Sequence, residues 1–412
     1  MRSIVWPLRY LSGLLAGLLA LVAVAWWLAR PATPDAFYRP PAERPTTPGA
    51  LLRQEPFLRG VPPRARAWRV LYTTTRADGS AAVASAIVMT SGAPGREPRP
   101  VITWTHGTTG VVPGCAPSVL DDPFANVPAI EPLLDQGWVY VGTDYVGQGT
   151  AGVHPYLIGE DEARSALDSI RAVRRMEGVR AADETVVWGH SQGGHAALWT
   201  GILAPGYAPD VNILGVAAVA PASDLRAVVA AVHTTLVGRI MSSFVLRSYA
   251  TAYPDVDIAT YVPAWKRSLA SDMADRCLAG REALFSVAEA VLAGDSLFGV
   301  APASGALGER LAQNTPDRPL PQPLLIAQGL ADDLVRPEVQ SRFVRARCAA
   351  GAALEFRTYA GRDHLSVVAP DSPLTGDLVQ WTRDRFDHVP FTGSCDGGAE
   401  PSAVSAGAHP GT

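Results

Sequence analysis

Residues 186–199, VVWGHSQGGHAALW, hold a serine between glycines in the order Gly189, His190, Ser191, Gln192, Gly193. An apolar run precedes the serine and a helical pattern follows it, so Ser191 stands at a sharp strand-to-helix turn. Such a turn crowds the positions two residues before and after the serine, where only glycine fits. It lifts the hydroxyl clear of the strands and aims the free N–H groups of the helix start at any negative charge forming nearby. The pattern suits Ser191 as a nucleophile rather than as an idle serine in a turn.

A serine hydroxyl does not ionise at neutral pH, so it needs a neighbouring base, and the base needs an orienting acid. With this kind of turn the acid and then the base follow the serine in chain order, each on a loop after a later strand. Residues 324–335, LLIAQGLADDLV, put Asp332 and Asp333 just after an apolar strand. Asp332 is the candidate acid, because a short turn after Gly329 brings its carboxylate back over the strand end; Asp333 is expected to face solvent or cap the next segment. The strand LEFRTYAG leads into RDHLSVVAP and makes His364 the candidate base. His388 is the rival, but it lies beyond the last helix. His190 and His195 are expected to pack or to support, since the turn directs one away from the serine and the helix carries off the other.

An acyl carbonyl attacked by Ser191 becomes an oxyanion that needs donors already in place. The backbone N–H of Gln192 is one candidate. The second is expected from THGTTG, residues 105–110, with Thr108 as the choice and Gly107 as the alternative. The loop DYVGQGT, residues 144–150, reads as a tight turn lining the pocket. No phosphate-binding loop, zinc-binding helix or dinucleotide fingerprint is present, so no cofactor and no metal site is implied.

These residues need a scaffold that gathers loops at one edge. Two β-rich runs, residues 66–75 and 81–90, flank a turn at Ala77, Asp78, Gly79 and Ser80 and predict an antiparallel hairpin that begins the sheet. Apolar strands then alternate with helical stretches such as EDEARSALDSIRAVRRMEG, which predicts an α/β fold with a mostly parallel central sheet and flanking helices. Between about residues 223 and 316 the alternation stops and only helical spacing remains. This segment predicts a helical lid or cap inserted over the loops. The core then comprises residues 51–222 and 317–395, with a flexible tail at 396–412.

The chain has 412 residues, 48% hydrophobic and 18% charged, which is enough for one large domain with an insertion. Its net charge of −4 comes without a long basic block, so nucleic-acid binding is not expected. Arg2 and Arg9 precede an apolar run from Leu11 to Ala29. That layout predicts export, either with cleavage near Ala23 and Ala25 or with an uncleaved membrane span bounded by Trp26 and Trp27. Residues 1–30 are thus a signal peptide or anchor, and the Pro-rich residues 31–50 a linker. Cys115, Cys277, Cys348 and Cys395 are an even count in an exported chain, consistent with two disulfides and three alternative pairings.

Taken together, CAPS at 115–118, DYVGQGT at 144–150, ALDSIRAV at 166–173, the turn at Ser191 and GRDHLS at 361–366 make the chain resemble the secretory lipase family of α/β-hydrolases. The resemblance runs from about Pro48 to Cys395. It implies ester hydrolysis, a large helical lid, a triad of Ser191, Asp332 and His364, and pairing of Cys115 with Cys277 and of Cys348 with Cys395. The expected function is an exported serine ester hydrolase acting on acyl esters of lipid-like substrates, located in the cell envelope or secreted. Two alternatives share the residues: an envelope acyltransferase, and a catalytically silent, membrane-tethered binding protein on the same scaffold.

Overall fold

The computed structural model describes residues 5–28, 30–92, 98–393, 395 and 402–403. Arg2, the side chains of Arg9, Trp26 and Trp27, and the tail 396–412 apart from the backbone of residues 402–403 lie outside the described residues. Helix α1 (Val5–Leu28) leaves Leu14, Leu18 and Leu21 exposed. Among the described residues no helix is long and apolar enough to cross a membrane. The stretch read as a linker does not hang free. Phe37 and Tyr38 are buried against Leu71 and Val83, and the Tyr38 hydroxyl lies 2.7 Å from Ser118 Oγ.

Among the described residues ten strands form one sheet: β1 (Leu51–Phe57), β2 (Ala65–Thr75), β3 (Ala81–Ser91), β4 (Arg99–Thr105), β5 (Val139–Thr143), β6 (Ala181–His190), β7 (Asn212–Val219), β8 (Leu324–Gly329), β9 (Leu354–Tyr359) and β10 (Ser402–Ala403). Their spatial order is β1-β2-β3-β5-β4-β6-β7-β8-β9-β10. The expected hairpin is β2 and β3, paired from Ala65 opposite Ser91 to Thr75 opposite Ala81. The sheet starts one strand earlier than expected, because β1 pairs antiparallel with β2 despite carrying Pro56 opposite Trp68. Proline lacks a donor and is accommodated here because β1 is the outermost strand of the sheet. From β5 to β10 every pairing is parallel, so the loops leaving these strands collect at one edge.

Helices α2 (Ile130–Asp135), α3 (Gly159–Val173) and α4 (Gln192–Tyr207) precede the insertion. The insertion follows β7 and holds α5 (Leu225–Val232), α6 (Leu236–Ala252), α7 (Ile258–Tyr261), α8 (Arg267–Ala274), α9 (Ala283–Leu292) and α10 (Gly305–Gln313), with no strand among its described residues. After β8 come α11 (Pro337–Ala349) and, after β9, α12 (Pro373–Phe386). Side-chain alternation on β6 fills both faces of the sheet. Val186 and Trp188 pack with Leu133 of α2 and Leu378 of α12, while Val187 packs with Leu198 of α4 and Phe343 of α11. The insertion has its own core around Phe244, Tyr249, Met273 and Leu307, and it shares that core with Tyr156, Leu157 and Ile158 of the main body. It therefore sits against the edge where the loops gather.

Candidate active site

Ser191 has φ 58° and ψ −119° between β6 and α4, a conformation that costs energy in a residue with a Cβ and persists only where the surroundings impose it. The flanking glycines permit it. A Cβ on Gly193 would stand 1.8 Å from the Thr105 carbonyl oxygen, and one on Gly189 would stand 2.0 Å from the Gly193 carbonyl. Backbone bonds fix the turn: Ser191 N donates to Val219 O at 2.9 Å, and Ala222 N donates to Ser191 O at 3.2 Å. As the first helical residue, Gln192 has a backbone N–H with no intrahelical acceptor.

Asp332 and His364 arrive from the loops after β8 and β9. His364 Nδ1 lies 2.8 Å from Asp332 Oδ2, and His364 Nε2 lies 2.8 Å from Ser191 Oγ. Facing a carboxylate, Nδ1 carries the ring proton and donates it, which leaves Nε2 to accept from the serine hydroxyl. The Asp332 side chain is fully buried. Its Oδ1 accepts from the N–H groups of Leu334 (2.9 Å) and Val335 (2.8 Å), and Oδ2 also accepts from Gln328 Nε2 at 3.1 Å. Asp333 is exposed, as expected. His388 sits apart, 3.3 Å from Glu184 Oε1.

His190 turns away from the serine, and its Nε2–H donates to the His364 carbonyl at 2.8 Å. Burial, with the adjacent His364 second, pushes its pKa down to about 3, so it stays neutral and acts as a brace. His195 faces the opposite way, to Glu162 Oε2 (3.2 Å) and the Asn314 carbonyl (2.7 Å).

Glu162 was not anticipated. It lies fully buried in the first turn of α3, and its Oε1 accepts from Gln192 Nε2 at 2.7 Å and from Leu157 N at 3.0 Å. The residue after Ser191 is thereby held from below by a buried acid. In sequence, Glu162 looks like one more charge on the polar face of an amphipathic helix, and nothing in the spacing marks it.

Thr108 and Gly107 both border the cavity beside Ser191. Thr108 Oγ1 lies 2.9 Å from the Tyr156 hydroxyl, and a Cβ on Gly107 would lie 3.7 Å from Ser191 Cβ. Residues 144–150 do not line this cavity, contrary to expectation; they are buried beneath the loop. There Gln148 Nε2 donates to Gly110 O at 2.7 Å and to Thr109 Oγ1 at 2.9 Å, which props the 105–110 loop. Asp144 Oδ2 accepts from Ser85 and Ser118, each at 2.6 Å, and burial raises its pKa.

Two cavities meet at Ser191. A large one of about 1040 Å³ is bordered by Ser191, His364, Thr108, Trp104 and Leu278. A small one of about 40 Å³ runs between Ser191, Gln192 and helices α5 and α6. Disulfides join Cys115 to Cys277 and Cys348 to Cys395. The first ties the insertion to the segment after the 105–110 loop, and beside it Leu278 N donates to Thr109 O at 2.8 Å. Among the described residues no group of three or more His, Cys, Asp or Glu is arranged to hold a metal ion.

The chain is 26% identical to Lipase 5 of Candida albicans over 66% of its own length, and it spans 60% of that relative. It is also 26% identical, over 88% of its length and 84% of the relative's, to a Mycobacterium tuberculosis protein named "Probable inactive lipase MT1628". Among solved structures it resembles Candida antarctica lipase A in its closed state, with a TM-score of 0.69, 21% identity and 87% of each chain covered. That likeness shows the fold to be that of the α/β-hydrolases. The model of the secretory lipase family matches residues 125–394, which include the Ser191 turn, the whole insertion and both later loops. On that match, with its fold and the convergence of Ser191, His364 and Asp332, the chain belongs to the secretory lipase family.

Proposed function

We propose that this chain is an exported serine ester hydrolase that cleaves acyl esters of lipid-like substrates through an acyl-enzyme. One observation carries the reading: the hydrogen-bonded chain from Ser191 through His364 to Asp332, 2.8 Å at each step. Ser191 Oγ attacks the ester carbonyl as His364 Nε2 takes its proton, and the Asp332 carboxylate orients the ring and stabilises the imidazolium. The N–H of Gln192 and that of Thr108, with Gly107 as the alternative, receive the oxyanion. His364 returns the proton to the departing alcohol, and water activated by the same ring then releases the acid.

Export is supported by the secretory character of the family and by the two disulfides, which persist in oxidising compartments. In this reading residues 1–30 direct export, residues 51–222 and 317–395 form the catalytic body, and residues 223–316 form the cap. The test is hydrolysis of p-nitrophenyl esters by the purified chain beside Ser191→Ala. The variant should lose about 10⁴-fold or more in kcat, and turnover near the wild-type rate would overturn the assignment.

A further inference from the structure

The first turn of α4 reads Gln192, Gly193, Gly194, His195, so only its two ends carry side chains. A Cβ at either glycine would run into the backbone of Thr105 or Pro221. Spaced three apart, the side chains of Gln192 and His195 share one face of the helix, and both reach Glu162 in the first turn of α3. Gln192 Nε2 donates to Glu162 Oε1 at 2.7 Å, and His195 Nδ1 lies 3.2 Å from Glu162 Oε2. The second hydrogen of the Gln192 amide goes to His154 Nε2 at 2.8 Å, a nitrogen left to accept because His154 Nδ1–H donates to Val146 O at 3.2 Å. Glu162, Gln192, His195 and His154 are each at most 1% exposed.

We propose that Glu162 is a positioning residue for the oxyanion site: it clamps the start of α4 at both ends and so holds the Gln192 N–H on the developing charge. The proposal rests on the ester-hydrolase reading of Ser191. The peptide that bears this N–H leaves Ser191 in a strained conformation, φ 58° and ψ −119°, which persists only where the surroundings impose it. On one side Ser191 O accepts from His195 N at 3.1 Å and from Ala222 N at 3.2 Å. On the other side the clamp anchors the Gln192 side chain. A donor displaced by a fraction of an ångström loses much of its value, because only a preorganised group stabilises the charge as it forms. A bare carboxylate at this place would repel the oxyanion, and His195 removes that conflict. Its Nε2–H donates to the Asn314 carbonyl at 2.7 Å, so a further proton lies between Nδ1 and Glu162 Oε2, on one atom or the other, where two lone pairs would otherwise face each other. In either case the pair has no net charge.

The experiment compares Glu162→Leu, which removes both acceptors, with Glu162→Gln, whose oxygen still accepts from Gln192 and Leu157 and whose NH₂ donates to His195 Nδ1. Each is assayed as the full chain on p-nitrophenyl butyrate, with active sites counted by phosphonate titration. Each is also inhibited with a trifluoromethyl ketone, whose adduct on Ser191 carries an oxyanion in the same place. We expect Glu162→Leu to lose about 10–100-fold in kcat with KM within about twofold of the wild type, and to bind the ketone more weakly by a similar factor. Glu162→Gln should keep at least about a third of the wild-type kcat, since it exchanges a charged acceptor for a neutral one in the same place. A clamp that served stability alone would lower the melting temperature and leave kcat per titrated site and ketone affinity unchanged, and that result overturns the proposal. So does a loss confined to KM, or a Glu162→Gln as impaired as Glu162→Leu. If Glu162→Leu fails to fold, Gln192→Met keeps the backbone N–H and cuts the clamp from the other end; the same loss in kcat is expected, and wild-type turnover overturns the proposal. Failure of the ester-hydrolase reading looks different: the wild type cleaves no ester, and Ser191→Ala matches it.

Discussion

Replacing Asp332 by asparagine removes a charge and forces a choice of orientation on the new amide. Oδ1 of Asp332 accepts two backbone N–H groups, from Leu334 and Val335, while Oδ2 faces His364 Nδ1 and one Gln328 N–H. An amide NH₂ placed on the Oδ1 side would orphan two buried backbone donors, whereas on the Oδ2 side it opposes one side-chain donor. Each orphaned donor costs roughly 1–3 kcal/mol, so the amide oxygen keeps the Oδ1 site by about one such penalty. The NH₂ then points at His364 Nδ1, the ring proton moves to Nε2, and Ser191 faces a donor where it needs an acceptor. At 1–3 kcal/mol, between about one molecule in six and one in 160 holds the productive tautomer. Those molecules still lack the buried carboxylate that pairs with the imidazolium, which is worth about another 3–5 kcal/mol. The two effects together give about 4–8 kcal/mol, a range that includes the roughly 10⁴-fold loss in kcat known for this substitution in serine hydrolytic triads. The assay is kcat on p-nitrophenyl butyrate, with active-site titration by a phosphonate and a thermal melt to establish folding. A folded Asp332→Asn with kcat within tenfold of the wild type would refute the orientation argument.

Breaking the Cys115–Cys277 bridge by Cys277→Ser opens a loop of sequence separation 162, for which chain entropy sets a ceiling of about 5 kcal/mol. A lower urea midpoint is expected, and an unchanged one would show that the bridge adds nothing to stability. Gly193→Ala puts a methyl where the Thr105 carbonyl stands; a loss of roughly 2–3 kcal/mol in stability together with most of the activity is expected, and a fully active variant would contradict the packing. Burial pushes the Asp161 carboxyl up to about 6, with Arg76 the main opposing influence. Because its folded pKa is raised, its favourable contribution is complete below about pH 4 and is lost as pH rises through 6. Asp161→Asn should therefore gain stability relative to the wild type between pH 4 and pH 8, by as much as about 3 kcal/mol, and a pH-independent difference in chemical unfolding would count against it.

The parallel strands and the Ser191 turn were legible because apolar runs and glycine spacing are local signals that need no partner to be read. The three residues singled out sit 2.8 Å from their neighbours in the chain, and each follows a buried strand whose hydrophobicity announces it. The helical insertion was legible by the loss of alternation after Ser223. What escaped notice depends on contacts far along the chain. β1 carries Arg53, Glu55 and Pro56, a composition that reads as a loop until β2 supplies its partner. Phe37 and Tyr38 lie among prolines and look like part of a tether, yet Leu71 and Val83 bury them. Glu162 and Asp144 are charged residues whose burial is decided by Gln192, His195, Ser85 and Ser118, and no periodicity encodes that. The segment 144–150 was read as cavity wall when it is a strut, because a glycine-rich turn has the same composition in either place.

The Cys115–Cys277 bridge joins the middle of the insertion, between α8 and α9, to the segment that follows Thr108, and the Leu278–Thr109 bond stands beside it. A displacement of the insertion at Cys277 and Leu278 would therefore be passed straight to the loop beside Ser191, through one covalent bond and one hydrogen bond.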